Sequence, residues 1–171
     1  PLAEAASVVR AIAPGALVHC DATQAVGRLP IDLSADLSEI DLLSFSGHKF
    51  HGPKGTGGLV LRQGVTIEPL IAGEQEGGLR GGTYNVPAAA GLAIAARLAM
   101  DGLDGMSAVE QLRNTLETQL LSLSPNATIH GRHVERLPNT ASIAFPGLDA
   151  DHVVEQLALQ GVIVAAGSAC T

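Results

Sequence analysis

Apolar positions over residues 2–13 recur at helical spacing and stop at Pro14-Gly15, which predicts a helix with a defined end. Leu17-Val18-His19-Cys20 reads as a short strand closing on Asp21, and a loop or short helix follows through Gly27 to Pro30. Residues 40–45 read as a second buried strand, ending at Ser46-Gly47-His48-Lys49. The glycine-rich turn Gly52-Pro53-Lys54-Gly55-Thr56-Gly57-Gly58 leads into a third strand, Leu59-Val60-Leu61. Residues 73–83 form a long loop carrying Gln75, Glu76 and Arg80. The alanine-rich residues 87–100 then predict a helix packed closely on its neighbours.

After Asp101 the texture changes. Met106, Val109, Leu112, Leu116, Leu120 and Leu123 repeat every three or four residues, the pattern of an amphipathic helix. Strands are expected near 127–129 and 141–145, a helix over 152–159, and a strand at 162–164. We place a domain boundary near Asp101, giving one unit over residues 1–101 and a second over 102–171.

Composition narrows the class. Hydrophobic residues make up 46% of the chain but aromatics only 2%, so the core is built from Ala, Val, Leu and Ile. With 20 glycines, that favours close-packed α/β layers over a small β-sandwich. The net charge is −7 and no run of Lys or Arg interrupts it, so no footprint for direct nucleic-acid binding is present. No apolar run is long enough to span a bilayer and no basic-then-apolar leader opens the chain, so no membrane role is expected. Cys20 and Cys170 are far apart and form no C-x-x-C pattern, which argues against a disulfide framework and for a reducing cytoplasm. The chain starts at Pro1 within a helical pattern and stops just past a Gly-Ser-Ala-Cys turn. It therefore reads as an internal piece of a longer protein.

Two residues suggest chemistry. Asp21 follows an apolar strand directly, at the carboxyl end where open α/β sheets bind ligands, with Gln24 three residues on. Alone, Asp21 reads more simply as a cap or turn acid. Lys49 ends another buried strand. It either snorkels to solvent or serves as a Schiff-base lysine in a partly desolvated pocket. Together they suit pyridoxal phosphate (PLP), which needs a lysine for its aldehyde and a carboxylate to keep its ring nitrogen protonated. Ser46 and His48 flank the lysine as donors for a phosphate, and Gly47 allows a tight turn. Cys20 lies within a strand beside Asp21, faces the other way, and reads as packing. The pairs His48/His51 and His130/His133 lack a third ligand, so no metal is expected. The segment after Lys49 has neither Walker nor Rossmann spacing.

Asp21-Ala22-Thr23-Gln24-Ala25-Val26-Gly27, Ser44-Phe45-Ser46-Gly47-His48-Lys49 and Gly52-Pro53-Lys54-Gly55 resemble the core signature of class V PLP-dependent aminotransferase-like enzymes. Arg80-Gly81-Gly82-Thr83-Tyr84-Asn85-Val86-Pro87 resembles a block of the cysteine desulfurases in that family. Gly167-Ser168-Ala169-Cys170-Thr171 resembles the catalytic-cysteine loop of their NifS/IscS group. The resemblance implies an α/β chain of PLP-dependent transferase fold type I, with part of a large, mainly parallel-sheet domain followed by part of a small α/β domain.

Carried over by position, the resemblance implies that Lys49 bonds the cofactor aldehyde, Asp21 pairs with the ring nitrogen and Gln24 contacts the phenolic oxygen. Ser46 and His48 would bind phosphate, and Thr83 the phosphate of a partner subunit in a homodimer. Cys170 would take sulfur from L-cysteine as a persulfide, leaving alanine, with Lys49, Cys170 and His48 as the catalytic set. A mobile glycine-containing loop suits a thiolate that must visit both the cofactor and an outside acceptor. The implied function is a cysteine desulfurase supplying sulfur to an acceptor or iron–sulfur scaffold protein, or for tRNA thiolation. The alternatives are a selenocysteine lyase, an aminotransferase of the same class, or an inactive truncated piece that only dimerises or docks partners.

The chain departs from the family pattern at Glu74, where Gly is common, and at Gly77, where Arg is common; both lie in a loop near the implied subunit interface. The family's aromatic residue that stacks on the ring, a further phosphate-binding turn and a substrate-carboxylate arginine lie in segments this sequence does not include.

Overall fold

The computed structural model describes residues 2–167. Helix α1 (Leu2–Ile12) carries Glu4 in its first turn and Arg10 in its last, each opposite in sign to the helix-dipole end it sits on. Its buried residue is Ala6, small enough to bring the helix close to the sheet. Three strands follow, β1 (His19–Asp21), β2 (Leu42–Ser46) and β3 (Gly57–Leu61), in spatial order β1-β2-β3. β1 and β2 are parallel, with His19 opposite Leu42, Cys20 opposite Leu43 and Asp21 opposite Ser44.

β2 and β3 are antiparallel, joined by the glycine-rich turn foreseen from the sequence. The sheet is thus mixed, because a short connection reverses the chain whereas parallel neighbours need a long crossover. Gly58 lies under the Phe45 ring, where a Cβ would stand 2.6 Å from Phe45 Cζ.

One sheet face is covered. Ala6, Ala22, Ile40 and Leu43 form its buried centre, with Leu2, Val18, Cys20, Val26 and Phe45 packed around them. Cys20 is therefore a packing residue, as its place in the strand predicts. Strand alternation sends the neighbours of these core residues, His19, Asp21, Ser44 and Ser46, to the opposite face.

Asp41 fastens the sheet at the entrance to β2. Its carboxylate is 6% exposed and accepts the Val18 N–H at 2.8 Å and an Arg10 N–H at 2.7 Å, with Arg62 Nε at 3.4 Å. Arg62 also donates to the Ile40 carbonyl.

Helix α2 (Val86–Asp101) begins with Asn85, whose side chain accepts the Ala88 N–H, and has proline in its first turn, where no partner is lost. Helix α3 (Met106–Leu123) follows after a short 3₁₀ turn. Two compact units divide within α3, between Glu110 and Gln111, with Leu137–Asn139 belonging to the first. The second contains the antiparallel pair β4 (Thr128–Ile129) and β5 (Ile143–Ala144), and α4 (Ala150–Leu159), capped by the Asp149 side chain on the His152 N–H. Among the described residues no single helix is long and apolar enough to cross a membrane.

Two expectations change. The apolar stripe of α3 is only partly covered: Met106, Val109 and Leu120 are half-buried on the face that also carries the buried Arg113 and Glu117, whereas Leu112, Leu116 and Leu123 are exposed. Arg136 grips Glu117 through two hydrogen bonds of 2.7 and 3.0 Å, and that pairing makes burial of the carboxylate tolerable. Residues 162–164 form no strand, because a strand requires a ladder partner and the described strands pair elsewhere. Val162 N–H instead bonds the Leu157 carbonyl, closing α4, and Ile163 is exposed.

The Val18 N–H, and then Arg10, hold the Asp41 carboxyl below its ordinary value of 3.8. Its contribution to stability is therefore full above that value and is lost as pH falls through the lower folded value. Asp41→Asn is expected to lower stability by about 2 kcal/mol at neutral pH, by weakening its ties to Arg10 and Arg62. Urea denaturation of variant and unaltered protein should show this gap narrowing below about pH 4; a gap unchanged with pH would contradict the assignment.

Candidate active site

His19, Asp21, Ser44 and Ser46 make a polar strip along the uncovered sheet face. Parallel pairing puts Asp21 beside Ser44, so Asp21 and the turn that follows Ser46 leave the sheet at the same strand ends. The Asp21 carboxylate accepts the Thr23 backbone N–H at 2.9 Å. The Thr23 side chain, then that N–H, hold its acid below the ordinary value, so Asp21 is an anion at neutral pH. Asp21 and Gln24 are exposed. One pleat back, His19 Nε2 and Ser44 Oγ are hydrogen-bonded at 3.0 Å.

Lys49 lies on a 3₁₀ turn, Gly47–Phe50, that follows β2 without a break. Ser46 Oγ and His48 Nδ1 are hydrogen-bonded at 2.8 Å. Lys49 is half-buried, while His48 is exposed. Gly47 is buried, and a Cβ there would lie 2.7 Å from both Leu92 Cδ1 and Thr56 Oγ1, so α2 and the glycine-rich segment press on the turn. Backbone bonds from Gly47 N–H to the Thr56 carbonyl and from Gly52 N–H to the Gly47 carbonyl, both 2.8 Å, pin it further. His51 closes the turn in the left-handed region at φ 69°.

The structure thus brings Ser46 and His48 into contact and sets Asp21 and Lys49 at neighbouring strand ends. Thr83 stands apart from this group in chain and contact; it is exposed in the loop before α2, next to Gly82, whose N–H bonds the Gln75 side chain at 2.9 Å. Cys170 lies outside the described residues. His19, Thr23, Ser44 and Arg28 bear on the site but were not singled out from the sequence. For His19 a signal exists, since two residues before Asp21 in a strand means the same face. For Arg28, which bonds backbone carbonyls, there is none.

A family model described as Aminotransferase class-V matches residues 1–171. The chain belongs to this family. It is 48% identical over 157 residues to a cysteine desulfurase of Cereibacter sphaeroides, covering 91% of this chain and 40% of that protein. A cysteine desulfurase of Rhodobacter capsulatus is 48% identical over 164 residues, with coverage of 92% and 41%. The chain therefore spans about two-fifths of the length of these curated relatives. Among solved structures it is similar to a NifS-like protein, with TM-score 0.87 and 39% identity over 98% of this chain and 45% of that one. A NifS-like protein from Rickettsia africae ESF-5 gives TM-score 0.88 and 34% identity, over 98% and 46%. The fold is the corresponding part of the type I α/β architecture of PLP-dependent transferases.

Class-V aminotransferases depend on PLP, and the residues present fit that group. An ionised carboxylate, a half-buried amine and a hydroxyl–imidazole pair are the kinds of group that a charged ring nitrogen, an aldehyde and a phosphate each require.

A Cβ on Gly52 would stand 2.8 Å from the Gly47 carbonyl oxygen, a backbone atom that cannot rotate aside. Gly52→Ala is expected to cost about 1–3 kcal/mol of stability. It should also lower the yield of Lys49 labelled by PLP and borohydride, read by peptide mass spectrometry; full labelling would show that the turn tolerates the shift.

Proposed function

We propose that the full-length protein carrying this chain is a PLP-dependent cysteine desulfurase, which releases L-alanine from L-cysteine and passes the sulfur through a persulfide on Cys170. The observation that carries this reading is the convergence of the Asp21 carboxylate and the Lys49 turn at adjacent parallel strand ends. The likeness to cysteine desulfurases over nine-tenths of the chain supports it.

When bound, PLP supplies an electron sink for charge developing at the substrate α-carbon. Asp21, anionic at neutral pH, would hold a proton at the ring nitrogen. Ser46 and His48, already sharing a hydrogen bond, would donate to the phosphate, with Gln24 at the phenolic oxygen. Lys49 Nζ would hold the aldehyde carbon and, once displaced by the substrate amine, move a proton at the α-carbon; His48 is a second candidate for proton transfer. The Cys170 thiolate would attack the substrate sulfur, forming an S–S bond as the C–S bond breaks and the electron pair remains on the alanine carbon.

The same reading extends to the assembly. We take the protein to be a cytoplasmic homodimer in which Thr83 reaches the partner's phosphate, with sulfur passing to an acceptor or scaffold protein for iron–sulfur clusters or to tRNA thiolation. Exposed Val86, Ile94, Leu98 and Met100 on α2 are consistent with a covered face in a dimer. Residues 1–101 would be part of the cofactor domain and 102–171 part of the smaller one.

The deciding experiment gives the full-length protein PLP and L-cysteine without reductant and maps the Cys170 peptide by mass. One added sulfur, matched by released alanine and lost in Cys170→Ala, is expected. A protein that binds PLP at Lys49 but leaves Cys170 unmodified would be another class-V enzyme. One that binds no PLP would overturn the reading. Asp21→Asn, which loses the anion, is expected to slow alanine release at least about 100-fold, measured in the same assay, while Cys170→Ala retains PLP.

A further inference from the structure

Arg28 is joined to the site through two backbone carbonyls. Its Nη1 donates to the Gln24 carbonyl at 3.0 Å and its Nη2 to the Lys49 carbonyl at 2.9 Å. The first belongs to the turn that follows Asp21, the second to the turn that follows β2, so one planar cation spans the two segments meant to hold PLP. The Lys49 carbonyl sits in the last turn of a 3₁₀ element, where carbonyls lack internal donors and concentrate negative partial charge. A guanidinium is suited to this place because it offers several donors in a fixed plane.

The neighbouring packing makes the bridge specific. Gly27, at φ +78°, lets the first turn approach so closely that a Cβ would lie 3.0 Å from Phe50 Cβ and 3.2 Å from Ala99 Cβ. The backbone continues through Arg28 N–H to the Ala25 carbonyl and Leu29 N–H to the same oxygen, so Arg28 leaves a closed turn, not a loose loop. Arg28 is itself half-buried.

We propose that Arg28 is a positioning residue that fixes Lys49 and Gln24 relative to one another for PLP, an inference that rests on the PLP reading above. It touches neither substrate nor cofactor; it acts by holding two backbone segments at one separation. Removing it frees the Lys49 turn to shift relative to Asp21 and Gln24, which weakens PLP without removing any group that contacts it.

The test uses the full-length protein with Arg28→Met, which keeps the aliphatic stem but no donor, and Arg28→Lys, which keeps the charge on a single nitrogen. Equilibrium dialysis measures PLP affinity, the visible absorption of bound PLP reports the state of its bond to Lys49, and borohydride trapping with peptide mapping reads the fraction on Lys49. The Met variant, which loses both charge-assisted hydrogen bonds, is expected to bind PLP at least about tenfold more weakly. Its absorption band should shift and its trapping on Lys49 should slow. The Lys variant should lie between, about threefold weaker, since an ammonium cannot reproduce the planar fork.

A folded Met variant with unaltered affinity and an unaltered band overturns the proposal, even if its PLP-free form melts earlier, because that is what a purely structural arginine would give. If the Met variant does not fold, the Lys variant decides: native circular dichroism with weaker PLP supports the proposal, and unaltered affinity overturns it. Failure of the PLP reading looks different, since then the unaltered protein itself shows no PLP on Lys49.

Discussion

Asp41 stands at the entrance to β2, almost out of solvent, and draws together the last turn of α1 through Arg10, the approach to β1 through the Val18 N–H, and the end of β3 through Arg62. A buried carboxylate is costly unless its oxygens are filled, and here backbone and guanidinium donors fill them. The consequence reaches the far end of the sheet. With the starts of β1 and β2 tied at one carboxylate, the register that sets Asp21 beside Ser44 is held, and the two strands release their chains toward the site side by side.

The chain leaves these two strands differently, and the difference is useful. After β1 it makes a closed turn whose first act is to give Asp21 the Thr23 N–H, keeping an exposed carboxylate ionised and aimed. After β2 it enters a 3₁₀ turn packed against α2 and the glycine-rich segment, so the backbone bearing Lys49 is held more tightly than its half-exposed side chain suggests. Such a backbone would suit the proposed role of Lys49, in which the amine holds an aldehyde and lets it go. Arg28 ties the two turns together, which makes the relative placement of carboxylate and amine a property of the scaffold.

The second unit solves a different problem by similar means. Buried Glu117 and half-buried Arg136 form a pair that secures the segment after β4 to α3, while Leu112, Leu116 and Leu123 of the same helix are exposed. Glu117 is tolerated on a helix face it shares with half-buried Leu120 because the bidentate pairing with Arg136 satisfies its oxygens.

Much of this was legible in the chain itself. The three strands, the long helices and the packing role of Cys20 follow from apolar periodicity, because that signal is local; Asp21 and Lys49 stand out as polar groups at strand ends, and the roles given to Gln24, Ser46 and His48 come from resemblance to a family. Tertiary structure alone decided the rest. Neither Asp41 nor Arg28 carries a local signal of its role; the fold alone sets the Arg10 guanidinium against the Asp41 carboxylate, and the Arg28 guanidinium against carbonyls of two segments. The face of α3 and the fate of residues 162–164 were decided the same way, since a helical stripe does not say what will cover it and a β-prone run is a strand only when another strand pairs with it. Local sequence settles which elements form; the partners that polar groups find across the fold settle how those elements are held.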